Sequence, residues 1–337
     1  MQISSILLIL LTFASCKNDK LKSVDISNIK IDLKLARFEK ELFALKPVVT
    51  PDGLNKLRTD FGQVPDLYMK RVIGIVVEND SARLIELTKY INDQYITEVF
   101  DESQKKFADA EWIRKDLEEA FKYYHLYLPS GRIPDLFTFI APFNYNILAT
   151  DSTLGIGLDM YLGADYKFYP TTGLPAYRIK KFRKEYIIVD AMNAWLQSDY
   201  NVDQTKNDLL NNMIYEGKIV FATSLFLPQT TDTLLFGFSA AQLEWCKNNE
   251  DKIWKFFIEQ KLLFNKNPGE FVKFINDGVS TNGFPPQAPA KIGCFIGWRI
   301  VSKYMEQMPE IKLDQLMNEK DGNKILLESN YKPERNN

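Results

Sequence analysis

Between Leu136 and Leu158 the apolar residues change their period, and that change limits what the chain can fold into. On either side they recur every three or four positions, as on one face of a helix, whereas inside this stretch they alternate or run together, as in strands. Residues 136–140 are expected to form one strand and 145–148 a second. Leu154, Ile156 and Leu158, alternating with Gly155 and Gly157, suggest a third. Ala149-Thr150-Asp151-Ser152 has the composition of a turn between the last two.

Residues 23–49 read as an extended lead-in, with Val24, Ile26, Ile29, Ile31, Leu33 and Leu35 partly alternating, followed by a short helical stretch around 39–45. Ser81 is expected to cap a helix with Leu84, Leu87, Thr88 and Ile91 on one face. Another helix should cover about 111–127, with Ile113, Leu117, Phe121 and Tyr124 at helical spacing. After the strands, an irregular segment at 163–175 precedes a helix over about 185–197, with Ile188, Ala191, Met192 and Trp195 on one face. The next is expected at about 204–221. Ser239 and Gln242 make a capping box for a long helix bearing Ile253, Trp254, Phe257 and Ile258. Pro285, Pro286 and Pro289 form a stiff loop into a strong helix at 290–308, where Gly293 and Gly297 would admit a close neighbour. In it Trp298 reads as core and Arg299 as helix surface. The expected fold is α+β and α-rich: a single domain over 23–337 with a small central β-sheet packed by helices.

The N-terminus has a separate logic. Residues 6–11 are an unbroken apolar run, and Ala14 and Ser15 stand directly before Cys16. With Ile3 and Phe13 flanking it, the apolar stretch reaches about half-way across the roughly 30 Å hydrocarbon core of a bilayer, so it reads as the hydrophobic part of a secretion signal. The small pair before the cysteine is a lipoprotein cleavage pattern. Two positions depart from it: no Lys or Arg precedes the apolar run, and Phe13 stands where Leu is usual. We expect a signal peptide at 1–15, an anchor and tether at 16–22, and fatty-acyl chains such as palmitate on Cys16. Each buried methylene contributes about 0.8 kcal/mol, so two or three chains on one cysteine make a durable membrane tether.

Composition excludes several functions. The formal charge is −2, and Lys and Arg occur singly or in short groups such as Lys180, Lys181 and Arg183, so nucleic acid is not an expected partner. After Cys16 only Cys246 and Cys294 remain, too few for a disulfide-stapled scaffold; each lies beside an aromatic residue and reads as a buried free thiol, with one bridge as the alternative. The chain has one histidine, His125, near the end of the 111–127 helix, where an imidazole complements the helix dipole. Imidazole-based triads and most catalytic zinc sites are thereby removed. There is no phosphate-binding glycine loop, no G-x-S-x-G elbow, no C-x-x-C and no repeat. No cofactor, no metal site and no catalytic residue is expected.

Several segments together carry a resemblance. They are the run from Leu154 to Gly163, Leu174-Pro175-Ala176-Tyr177, Met213-Ile214-Tyr215-Glu216-Gly217-Lys218, and Gln242 to Trp254 with Trp245-Cys246 and Asn249-Glu250. Ala290-Lys291-Ile292-Gly293 follows, with Gly297-Trp298 and Ile300-Val301. In this order, behind a lipoprotein cleavage pattern, the chain resembles the gliding-motility lipoprotein GldB family of Bacteroidetes over nearly its whole length. The resemblance implies a noncatalytic role in the envelope machinery of gliding, alongside type IX secretion, with protein partners in that apparatus. In that group acidic clusters after the acylated cysteine accompany surface export. Asp19 stands alone here, so a periplasm-facing tether is expected.

The order of elements is also similar to a family of predicted zinc peptidases whose first helix carries H-E-x-x-H. In the matching register Asp190 and Ala194 occupy the imidazole positions, Ala191 the general-base position and Glu216 a ligand position, which would make the chain a degenerate zincin-like scaffold; a chance alignment of generic helices is the other reading. Asp159, Asp190, Glu216, Tyr161 and Tyr177 form the candidate binding set, with Asp165 as a further acidic neighbour. The Tyr-rich loop with Tyr166, Phe168 and Tyr169 serves either recognition or packing. Besides an interaction protein, a metal-dependent peptidase-like hydrolase and a lipoprotein binding a glycan or small molecule remain open.

Overall fold

The period change produces a mixed four-stranded sheet in the computed structural model, which describes residues 24–77 and 79–333. The expected signal peptide at 1–15, the expected tether at 16–22 and the expected lipidation site Cys16 lie outside the described residues. Strands β1 (Leu35–Arg37), β2 (Asp135–Phe139), β3 (Ile147–Ala149) and β4 (Thr153–Gly157) take the order β1-β2-β4-β3. β1 and β2 pair in parallel with Leu35 opposite Leu136, and β2 and β4 in parallel with Leu136 opposite Leu154. β3 returns antiparallel with Ile147 opposite Ile156. The expected turn closes this hairpin, with Thr150 N–H donating to Thr153 O at 2.9 Å. All of β4 is buried, so the sheet centre is covered on both faces. Gly157 is required there, because a Cβ would fall 2.1 Å from the Tyr145 carbonyl oxygen where the chain crosses the strand.

Helices α1 (Phe38–Phe43), α2 (Pro51–Phe61), α3 (Asp80–Asn92), α4 (Gln94–Lys106) and α5 (Glu111–Tyr127) fill the crossover from β1 to β2. Ile113, Leu117, Phe121 and Tyr124 of α5 are all buried, as their spacing predicts, and His125 is exposed in its last turn. The cap of α3 is Asn79 and not Ser81: the Asn79 side chain accepts from Ser81 N–H at 2.7 Å.

After the sheet come α6 (Ile187–Asp199), α7 (Leu209–Phe226), α8 (Ala240–Asn248), α9 (Glu250–Glu259), α10 (Ile292–Gln307), α11 (Leu313–Asn318) and α12 (Gly322–Ser329). Three expectations need correction. The helix placed at 204–221 begins at Leu209, where Asp208 accepts from Asn211 N–H at 2.9 Å, and runs on to Phe226. The capping box of Ser239 and Gln242 is present, but the long helix it starts breaks at Asn249 into α8 and α9. Arg299, read as plain helix surface, pairs at 2.9 Å with the buried Glu250, which also accepts from the Tyr331 hydroxyl at 2.8 Å.

The deepest packing is between α7 and α10. A Cβ on Gly297 would lie 1.7 Å from Met213 O, and one on Gly217 would lie 2.3 Å from the Gly297 carbonyl carbon, so the two backbones touch. Glycine inside a helix costs about 1 kcal/mol against alanine, and backbone contact is what it permits in return. Next to the crossing, the buried Lys218 ammonium donates to the carbonyl of Glu319 at 2.7 Å, just past the end of α11. Burial lowers that ammonium to about 8. Cys246 and Cys294 are both buried and free.

Candidate functional site

The α7–α10 crossing sets Glu216 of α7 facing Lys291 and Cys294 at the start of α10, and α6 closes the third side. Asp190, Asn193, Ala194 and Gln197 recur at helical spacing on α6 and line one cleft with Glu216, Lys291 and Cys294. Ala191, Met192 and Trp195 are carried to the other side of the same helix and are fully buried. Asn146 enters from the loop before β3, and Phe236 and Phe238 complete an apolar wall. The cleft has a volume of about 270 Å³.

Its polar groups are unequally satisfied. Asp190 Oδ2 accepts the Tyr161 hydroxyl at 2.8 Å and Asn146 Nδ2 at 3.4 Å. Burial pushes the Asp190 carboxyl up to about 6, against the pull of these donors and of the Lys181 and Lys291 charges. Burial also raises Glu216, while the Lys291 charge opposes it. For Lys291 the balance goes the other way: burial would lower the ammonium, but Cys294, Glu216, Asp277 and Asp190 together raise it. Among the described residues, neither Lys291 nor Glu216 reaches hydrogen-bond or ion-pair distance of a protein side chain. Thr223 Oγ1 donates to Asn193 Oδ1 at 2.7 Å, which leaves the Asn193 amide N–H groups for the cleft. The Cys294 thiol contacts Ile275 O at 3.5 Å, and burial raises it far above the range of a reactive cysteine.

A larger groove of about 860 Å³ adjoins the cleft and shares Phe238 with it. Tyr177, Lys180, Trp245, Pro286 and Pro289 line it, together with Lys181, which is paired with Asp277 at 2.9 Å.

Of the candidate binding set, the structure brings Asp190 and Glu216 into one cleft, with Tyr161 behind Asp190 and Tyr177 in the adjoining groove. Asp159 is a correction. It is wholly buried, and its carboxylate accepts from Ala141 N–H at 3.0 Å and Phe143 N–H at 2.7 Å. It fixes a turn in which Phe143 is left-handed at φ 65°, and it lines neither cavity. Asp165 is exposed beyond Gly163. In the Tyr-rich segment, Tyr169 is buried and packs edge-on against Phe143, Tyr166 and Phe182. No three His, Cys, Asp or Glu side chains converge among the described residues. Lys291, Asn146 and Asn193 went unassigned in the sequence. Lys291 stands just past the proline loop, but the two carboxylates it faces lie 75 and 101 residues earlier.

Helices packed around a small mixed sheet, with a polar cleft between three of them, define an α-rich α+β protein whose site holds both charge signs and no imidazole. The family described as gliding motility protein GldB matches residues 19–333, and the chain belongs to it. It is therefore a gliding-motility lipoprotein of the cell envelope. Searches of curated proteins and of solved structures return no significant match. Among the described residues, no helix is long and apolar enough to cross a membrane.

Proposed function

We propose that this lipoprotein acts by contact, without catalysis, in the gliding apparatus and its associated type IX secretion machinery, tethered through Cys16 and facing the periplasm. The observation that supports this most is the chemistry of the cleft. Its carboxylates face a lysine held in its charged form, its cysteine is suppressed by burial, and the chain's single imidazole is exposed on α5, outside the cleft. General-base and nucleophilic catalysis both need a group poised near neutral pH beside the group it activates. Asp190 is poised, but Tyr161 and Asn146 both bind one of its oxygens and hold it in place, and no nucleophile stands beside it. The peptidase comparison has the same outcome. Asp190, Ala194 and Glu216 share the cleft as that register requires, yet Ala191, at the base position, is turned into the core. The reading is of a peptidase-like scaffold that has kept its cleft and lost its chemistry.

Deleting the gene and restoring it as wild type or as Cys16→Ala tests this. Deletion should abolish colony spreading and type IX export. The Cys16→Ala protein should leave the membrane fraction and fail to restore either. Unchanged spreading and export after deletion, or peptide hydrolysis by the purified chain that Glu216→Gln abolishes, would overturn the proposal.

A further inference from the structure

We propose that the Asp190–Glu216–Lys291 cleft binds a neutral, polyhydroxylated ligand: a single sugar ring of an envelope glycan. The inference deepens the contact reading of the same cleft and rests on it. Lys291 is half-buried, charged and without a short-range side-chain partner, and it shares the cleft with the half-buried and equally unpartnered Glu216. Two groups of opposite sign, partly withdrawn from water and facing one cleft, leave bonding capacity that a polar ligand can take up there. A carboxylate entering for Lys291 would also approach Asp190 and Glu216, and an ammonium entering for Glu216 would meet Lys291. A hydroxyl avoids both conflicts, because it donates to a carboxylate and accepts from an ammonium. The Asn193 amide adds a donor, Gln197 a further amide at the exposed edge, and Phe238 an apolar wall for the C–H face of a ring. The volume, about 270 Å³, lies just below the usual range for ligand pockets of roughly 300–1,000 Å³, which suits one ring. The adjoining groove, entered past Phe238, leaves room for the next residues of a chain.

The test is saturation-transfer NMR and titration calorimetry on the full chain in zwitterionic-detergent micelles. The probes are the methyl glycosides of glucose, galactose and mannose and N-acetylglucosamine, with acetate and methylamine as charged probes. At least one sugar should bind, and Lys291→Met or Glu216→Ala should each weaken it by about tenfold, the loss of one hydrogen bond to a charged group. Gln197→Trp, at an exposed position on the rim, should fill the cleft and abolish binding without disturbing the core. It decides the matter if a cleft variant fails to fold. Absence of sugar binding by the folded chain, binding of the charged probes alone, or sugar binding that survives Gln197→Trp would overturn the proposal. Each of these results leaves the deletion phenotype intact, so failure here is separable from failure of the contact reading.

Discussion

Asp159 and Asp190 present the same perturbation in opposite settings. Burial pushes both carboxyls up to about 6. Asp159 is sealed, and two backbone N–H groups of one turn point at it. Asp190 is only half-buried; its two donors reach one oxygen, and the other side of the group opens on the cleft with Glu216 and Lys291. The difference shows that a shifted carboxyl does not by itself mark a functional site. What separates the two is whether the protein uses up the group's bonding capacity. Asp159 holds the turn from Ala141 to Phe143 and through it the approach to β3; Asp190 presents a surface.

Substitution should break the symmetry most at Asp159. Asp159→Ala leaves two buried N–H groups without an acceptor, so urea unfolding should show a loss of about 3–5 kcal/mol. A loss below 1 kcal/mol would mean that the turn is held by something else.

Acid titration comes next in size. A carboxyl raised from 3.8 to about 6 binds its proton more tightly when folded. Its burial penalty is therefore absent below pH 3.8, grows as pH rises through that window, and is complete above pH 6. Taking the pH from 7 to 5 should thus stabilise the fold, by about 1 kcal/mol for each of the two carboxyls. Stability that falls over this interval would contradict both assignments.

Asp190→Asn should then sharpen the contrast. The amide oxygen still accepts from Tyr161 and Asn146, and no charge is buried, so stability at pH 7 should rise by about 1–2 kcal/mol. The gain should fade toward pH 4, and the acid stabilisation between pH 7 and 5 should lose the share of about 1 kcal/mol that Asp190 contributes. Lys291→Met has the smallest expected effect, under about 1 kcal/mol in thermal unfolding, because no short ion pair is lost. A large loss there would make Lys291 a structural residue.

The same pair of residues shows what was legible in the chain. The α-rich α+β class, the 149–152 turn and the close approach at Gly297 follow from period, turn chemistry and residue size, all of which act over a few positions. β1 is three residues long, too short to display a period of two, and it exists because β2 supplies its partner from a hundred residues away. The role of Asp159 depends on N–H groups 16 and 18 positions earlier, and Asp190 is joined to Glu216 and Lys291 only by the packing of three helices. Sequence spacing could nominate these acids. It could not tell the sealed one from the open one.

The most direct test is colony spreading by cells whose only copy carries Gln197→Trp. The variant should accumulate normally, remain in the membrane fraction and fail to support spreading, while Asp190→Asn, which keeps the cleft open, retains at least part of it. Full spreading with the cleft filled would contradict the claim that this surface is where the protein works.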